Sequence, residues 1–383
     1  MRKTSLLLPA VVIVLSGILM GGCAKKTSTI NDGVSIETPY SLYFSDLQGA
    51  LYNSNDGKTS KVVFTSDGTP SRSIVTDGMN ILWARPILYY STNQGINFNY
   101  TYPIVTLCED SFINVYGEPA GLNQSMMINI PSWGQTYITS RDPAGTNIFG
   151  IAGSVQGGII NSWILQDYYD TVEIYDAHTV YYTTSFTQTS SGNLIAFSQS
   201  ISGTPPTPHG FMVRTSASAR WIRIYPGTVS PFSSSLDSSK AWFSLGHINN
   251  RVILIDNKGT SVANGGSAAY YSDDTCHNWY PYTGLPANVP MLCIASPFEQ
   301  LCYVGTEGHG LYLLNPNLNI FQPVTAGLPS NLTVRNIAFK ENVYKNGTVQ
   351  QYVYLATNLG IYQSADMGNN WVLTIPGNFV NIY

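Results

Sequence analysis

"SADMGNNW", residues 364–371, carries Asp366, the only acid in the chain after Glu341. An isolated carboxylate beside a tryptophan is either a reactive group or a turn brace, and its surroundings decide between them. The flanking run "GIYQSADMGNNWVLTIPG" (360–377) lies in frame with "GLYLLNPNLNIFQPVTAG" (310–327). The leading Gly, the Tyr, the aromatic and the closing Gly coincide. "AYYSDDTCHNWYPYTGLP" (269–286) fits the same frame with Ser272, Asp274 and Trp279 in register. "LYYSTNQGINFNYTYP" (88–103) fits it with Ser91, Asn93, Gly95 and Phe98, and "RWIRIYPG" (220–227) keeps only the tail. A group that recurs within a repeat marks architecture more readily than one reaction centre.

The aromatics that end this frame are Phe98, Trp221, Trp279, Phe321 and Trp371. The last four recur at intervals of roughly 40–60 residues, the length of one four-stranded propeller blade. The gap from Phe98 to Trp221 leaves room for two further units, around "SWGQTYITS" (132–140) and "TVEIYDAHTVYY" (171–182). Short β-rich runs such as "RVILIDNKG" and "QYVYLATNLGIYQS" alternate with Gly, Asn, Asp and Ser turns throughout. No stretch sustains a 3.6-residue apolar period with caps. The expected fold is all-β: a single β-propeller of seven four-stranded blades, with six or eight as the alternatives. "SLYFSDLQGALYNSNDGKTSKVVF" (41–64) could form an eighth blade or supply the closing strand.

The pattern S-x-D-x-G-x-x-W resembles the Asp-box, or BNR repeat. That repeat occurs in sialidases, GH74 xyloglucan-cleaving enzymes, sortilin-type receptors and photosystem II assembly-factor-like proteins. Ser364, Asp366, Gly368 and Trp371 match it in full. Ser272, Asp274 and Trp279 match with Cys276 in place of Gly, and Ser91, Asn93, Gly95 and Phe98 match loosely. The resemblance implies a structural box between the third and fourth strands of a blade, on the rim away from the central ligand site. The physics agrees, because an Asp in a short strand connection accepts from unpaired backbone N–H groups. Gly supplies a positive φ, and Trp lays a large apolar face between strands.

The chain opens with Arg2 and Lys3 and an uncharged apolar stretch from Leu6 to Met20. That reads as a secretory signal, too short to span a bilayer. "LMGGC" (19–23) resembles the bacterial lipobox, which implies lipidation of Cys23. The expected layout is a signal peptide over 1–22, a flexible tether over 23–39 beginning with lipidated Cys23, and the propeller over 40–383. The protein would then be exported and lipid-anchored at the bacterial cell envelope. Ala24 after Cys23 favours the outer membrane if the envelope is Gram-negative. Charged residues make up 10 % of the chain and the formal charge is −4, with no basic stripe, so nucleic acid is not an expected partner. Cys293 and Cys302 flank "SPFEQ" and read either as a hairpin disulfide or as two buried thiols. No cysteine spacing suits a metal, and the five histidines are scattered singly, so neither metal nor cofactor is expected.

Function must be read from elsewhere than the fold. A sialidase-like site needs an arginine cluster with a Tyr–Glu pair, and a GH74-like site needs two facing carboxylates. Asp110, Glu118, Asp167, Asp170 and Glu307 sit in candidate loops, but nothing selects a pair. The aromatic and amide-rich stretches 132–137, 167–182 and 276–282 suit stacking on a sugar or docking a peptide. The expectation is therefore a non-catalytic envelope lipoprotein that binds a glycan or protein partner at the propeller mouth. A glycoside hydrolase of sialidase-like or GH74-like type is the alternative.

Overall fold

The computed structural model describes residues 42–69, 71, 73–77, 79–85, 88–101, 127–133, 135–141, 149–154, 163–167, 181–200, 210–224, 243–257, 259, 267–299, 301–344 and 346–383. Cys23, Cys108, Asp110, Glu118 and Asp170 lie outside these residues.

Seven four-stranded antiparallel sheets are formed. The first uses β1 (Leu42–Asp46), β2 (Leu51–Ser54) and β3 (Lys61–Phe64). The second is β4 (Ser73–Asp77), β5 (Asn80–Ala84), β6 (Leu88–Ser91) and β7 (Asn99–Thr101). The third is β8 (Met127–Ile130), β9 (Gln135–Arg141), β10 (Phe149–Ser154) and β11 (Trp163–Asp167). The fourth is β12 (Tyr181–Gln188), β13 (Leu194–Ser200), β14 (Gly210–Arg214) and β15 (Ile222–Ile224). The fifth is β16 (Phe243–Ile248), β17 (Arg251–Asp256), β18 (Ala269–Ser272) and β19 (Tyr280–Pro281). The sixth is β20 (Met291–Ala295), β21 (Tyr303–Thr306), β22 (Leu311–Asn315) and β23 (Ile320–Val324). The seventh is β24 (Val334–Val343), β25 (Val349–Thr357), β26 (Gly360–Ser364) and β27 (Val372–Pro376). The last strand, β28 (Phe379–Ile382), pairs with β1 and completes the first sheet.

The lead strands close a ring: β4 meets β8, then β12, β16, β20, β24 and β28 follow in turn, and β28 returns to β4. This is a single propeller whose blades stack face to face. Each interface between neighbouring blades holds its own apolar cluster. A lone sheet cannot bury both faces, so the middle strands carry apolar residues on both sides. From Val252 to Asp256, β17 is buried throughout, and so is β25 from Val353 to Thr357. The outermost strands leave apolar groups in the open, as at Val62, Ile222 and Val372.

The allotment of blades differs from the expectation. The stretch between Phe98 and Trp221 holds one additional blade, the third, rather than two; β15 belongs to the same blade as the run from Tyr181. The seventh blade of the count is the first in sequence, because 41–64 supplies three strands and the C-terminal β28 supplies the fourth. That closure ties the two ends of the described chain by backbone hydrogen bonds in both directions between Tyr43 and Tyr383, at 2.9 and 2.8 Å.

Antiparallel alternation fixes which connections share a face. Turns from first to second strand and from third to fourth emerge on one face of the ring; the other connections emerge on the opposite face.

Candidate functional site

The residues of the repeated motif sit at the third-to-fourth-strand corners and hold them by the same bonds. In the seventh blade, Ser364 Oγ donates to Asp366 Oδ1 at 2.8 Å and accepts from Gly368 N at 2.8 Å. Asp366 accepts from Asn370 N at 2.9 Å and Nδ2 at 2.6 Å, and Trp371 Nε1 donates to Gly368 O at 3.0 Å. The fifth blade repeats this with Ser272, Asp274, Asn278 and Trp279, Cys276 N donating to Ser272 Oγ at 2.9 Å. In the second blade Asn93 replaces the acid: Ser91 Oγ lies 2.9 Å from Asn93 Oδ1, and Gly95 N lies 2.8 Å from Ser91 Oγ. Donation from Asn370 and Ser364 holds the Asp366 carboxyl below the usual carboxylate range. Burial pushes Asp274 up, but Asn278 and Ser272 together outweigh it and hold that carboxyl low as well.

A fourth corner escaped the sequence reading. Ser54 and Asp56 brace the first blade, Asp56 Oδ1 accepting from Lys58 N at 2.8 Å and Thr59 N at 2.7 Å. Its signal was "SNDG" (54–57), which is one residue short and lacks the aromatic. In the fourth blade Arg214 takes the serine position and inverts the chemistry. Its Nε donates to Ser216 O at 3.1 Å and Nη2 donates to Ala217 O.

The corner aromatics pack on the preceding blade. Trp279 stacks on Phe211 at 4.9 Å, Phe321 meets Tyr282 at 5.1 Å, and Trp371 meets Tyr303 at 6.2 Å. A tyrosine on the second strand of the preceding blade also reaches into the corner. Tyr43 donates to Gln94 O at 3.1 Å, and Tyr303 donates to Met367 O at 3.0 Å. A Cβ on Gly368, at φ +84°, would stand 1.8 Å from Tyr303 Oη. Glycine is fixed there by the neighbouring blade as well as by backbone conformation.

The predicted hairpin disulfide is not formed: Cys293, Cys302 and Cys276 are free, buried thiols. Cys293 pairs in register with Gly305, and its side chain packs toward the seventh blade. Cys302 packs on the opposite face, toward the fifth. Burial pushes both thiols up to about 12.

The axial channel is the concave site common to all blades. It encloses about 440 Å³ and takes lining residues from all seven inner strands, among them Ile74, Met127, Phe186, Leu245, Ile294, Asn336 and Ile382. On the face that carries the motif corners stands a polar cluster unforeseen in the sequence. Thr187 Oγ1 lies 2.8 Å from His247 Nδ1, and His247 Nε2 lies 2.7 Å from Glu299 Oε1. Glu299 Oε2 accepts from Ser190 Oγ and from Asn249 N, both at 2.9 Å. One carboxylate thereby joins the fourth, fifth and sixth blades. Burial pushes its pKa up, but His247 and the other donors outweigh this and hold it below its ordinary value. Phe298 and Glu299 both adopt left-handed backbone, φ 55° and 57°, a costly arrangement for two successive non-glycine residues.

Two expectations are corrected here. His247 is not isolated, since its carboxylate partner arrives from a turn read only as a strand connection. Nor, among the described residues, do 132–137 and 276–282 line the channel: Cys276 and Trp279 are buried inside a corner, and 168–180 of the third stretch lie outside the described residues. The arginines do not converge on the channel either. Arg85 pairs with Asp67 above the rings of Phe64, Trp83 and Tyr89; Arg251 grips Asp273 at 2.7 and 2.9 Å over Tyr271. Arg335 donates to Asn378 and Phe379 O, and no arginine lines the channel among the described residues.

No family model and no curated protein matches the chain. Among solved structures it is similar to YCF48 bound to a D1 peptide, at 12 % identity over 83 % of this chain and 87 % of that one, with a TM-score of 0.45. YCF48 from Cyanidioschyzon merolae gives 13 % identity over 85 % and 95 %, with a TM-score of 0.45. The Niastella koreensis GH74 enzyme gives 13 % identity over 86 % and 57 %, with a TM-score of 0.29.

Proposed function

We propose that this chain is an exported, lipid-anchored propeller of the bacterial cell envelope that binds a glycan or protein partner at its axial channel without chemical turnover. The motif corners are read as Asp-boxes that brace the blades, and Cys23 as the acyl-bearing residue. The observation that carries the reading is the state of Glu299. It is the one acidic side chain among the described lining residues, and His247, Ser190 and Asn249 already satisfy it. Glycoside hydrolysis calls for two carboxyl groups about 5–10 Å apart, one of them held protonated by a raised pKa. Glu299 is displaced in the other direction.

Reducing-sugar release from a panel of envelope glycans tests this. The reading expects no release above a heat-denatured control, and sustained release would overturn it. The anchor has a separate test: Cys23→Ala should move the protein to the soluble fraction, whereas unchanged membrane partition would refute lipidation.

A further inference from the structure

We infer that the channel receives an uncharged, amide-bearing apolar segment of a polypeptide, recognised by Asn336. The inference rests on the channel being the ligand site. Asn336 follows a register shift in β24 between Val334 and Asn336. Bulges of this kind re-aim a side chain, and here Asn336 joins the channel wall while 8 % exposed. Its Oδ1 accepts from Ile337 N at 2.6 Å, which fixes the orientation of the amide. No described residue accepts from its Nδ2, so a largely buried residue presents one amide donor to whatever enters.

The rest of the wall sets the character of that ligand. Ile74, Val75, Met127, Ile128, Leu245 and Ile294 give it an aliphatic side, while the hydroxyls and amide of Thr187, Gln188, Ser244 and Ser296 on the rest of the wall are already bonded within the protein. A sugar ring turns hydroxyls outward in every direction, and those facing the aliphatic side would lose hydrogen bonds. A peptide offers an apolar side chain with one or two amides, so a single donor is enough. Glu299 brings charge to the wall, but three donors satisfy it, so a charged ligand would lose water and gain no counter-charge. A volume of about 440 Å³ lies at the small end for ligand sites and admits a side chain with its flanking amides, not a folded element.

The test uses four defined probes on the intact protein: N-acetyl-phenylalaninamide, N-acetyl-phenylalanine, phenylalaninamide and chitotriose. Affinities are read by calorimetric or NMR titration. The uncharged amide should bind at least about tenfold more tightly than either charged analogue or the sugar, since each charge must be desolvated. Asn336→Leu should weaken the amide by roughly three- to tenfold, the loss of one hydrogen bond to the ligand, with the protein still folded; the lost acceptor for Ile337 N lowers the melting temperature separately. If Asn336→Leu does not fold, Asn336→Ser serves with the same expectation. Ala295→Trp, which fills the channel, should abolish binding. Amide binding that survives Asn336→Leu but is lost in Ala295→Trp would overturn the role of Asn336 and leave the channel as the site. Binding that survives both would overturn the channel itself, and tighter binding of chitotriose would replace the peptide by a glycan.

Discussion

The corner at Asp366 and the cluster at Glu299 share one face of the ring and a common device, a carboxylate that accepts from several donors. They differ in where those donors come from. Asp366 is braced within eight residues, by Ser364, Asn370 and its own turn. Glu299 is braced by Ser190, His247 and Asn249, which belong to two other blades. The first is a local turn repeated round the rim; the second exists only once three blades have assembled. A bond closed inside one turn stabilises a blade, whereas a bond closed across blades lines the space the blades enclose.

The corners can be broken most severely from outside. Gly368→Ala should destabilise by about 3 kcal/mol, combining left-handed strain with displacement of Tyr303. Chemical denaturation checks this, and adding Tyr303→Phe should recover part of the loss. Glu299→Ala should cost about 1–2 kcal/mol, because it leaves three donors without their acceptor, discounted for partial exposure. Asp366→Ala should cost about 0.5–2 kcal/mol, by analogy with losing a capping side chain. The smallest effect is a gain: Asn93→Asp should add a few tenths of a kcal/mol to the second blade's corner, measured as a small rise in melting temperature.

Acid provides a common readout for both regions. The Asp56, Asp274, Asp366 and Glu299 carboxyls all titrate lower in the folded protein than in an unfolded chain. Their contribution is present above the unfolded value of about 4 and is lost as pH falls through the folded values. Urea midpoints should therefore hold near neutrality and fall below about pH 4. The Asp366→Ala variant should show a shallower fall than the parent.

The local region was legible in the sequence and the assembled one was not. Ser364, Asp366, Gly368 and Trp371 lie within one turn, so their spacing alone reports the corner. The Ser54–Asp56 corner was missed because it lacks the aromatic, and the run from Tyr181 was separated from Trp221 because the fourth blade keeps only the tail of the frame. The Cys293–Cys302 pairing failed for a geometric reason: proximity in a hairpin does not say which face of the blade each side chain takes. His247 and Glu299 could not be joined from sequence, since they come to 2.7 Å only through the packing of the fifth blade on the sixth. Asn336 gave no signal at all, because its direction comes from a bulge in β24.

The central claim is that the rim corners stabilise the molecule and the channel recognises its ligand. Melting temperature and N-acetyl-phenylalaninamide affinity, measured together on Asp366→Ala and Asn336→Leu, test it most directly. The account predicts a lower melting temperature with unchanged affinity for Asp366→Ala, and a lowered affinity for Asn336→Leu in protein that is still folded. Loss of affinity in Asp366→Ala at an unchanged melting temperature would contradict it.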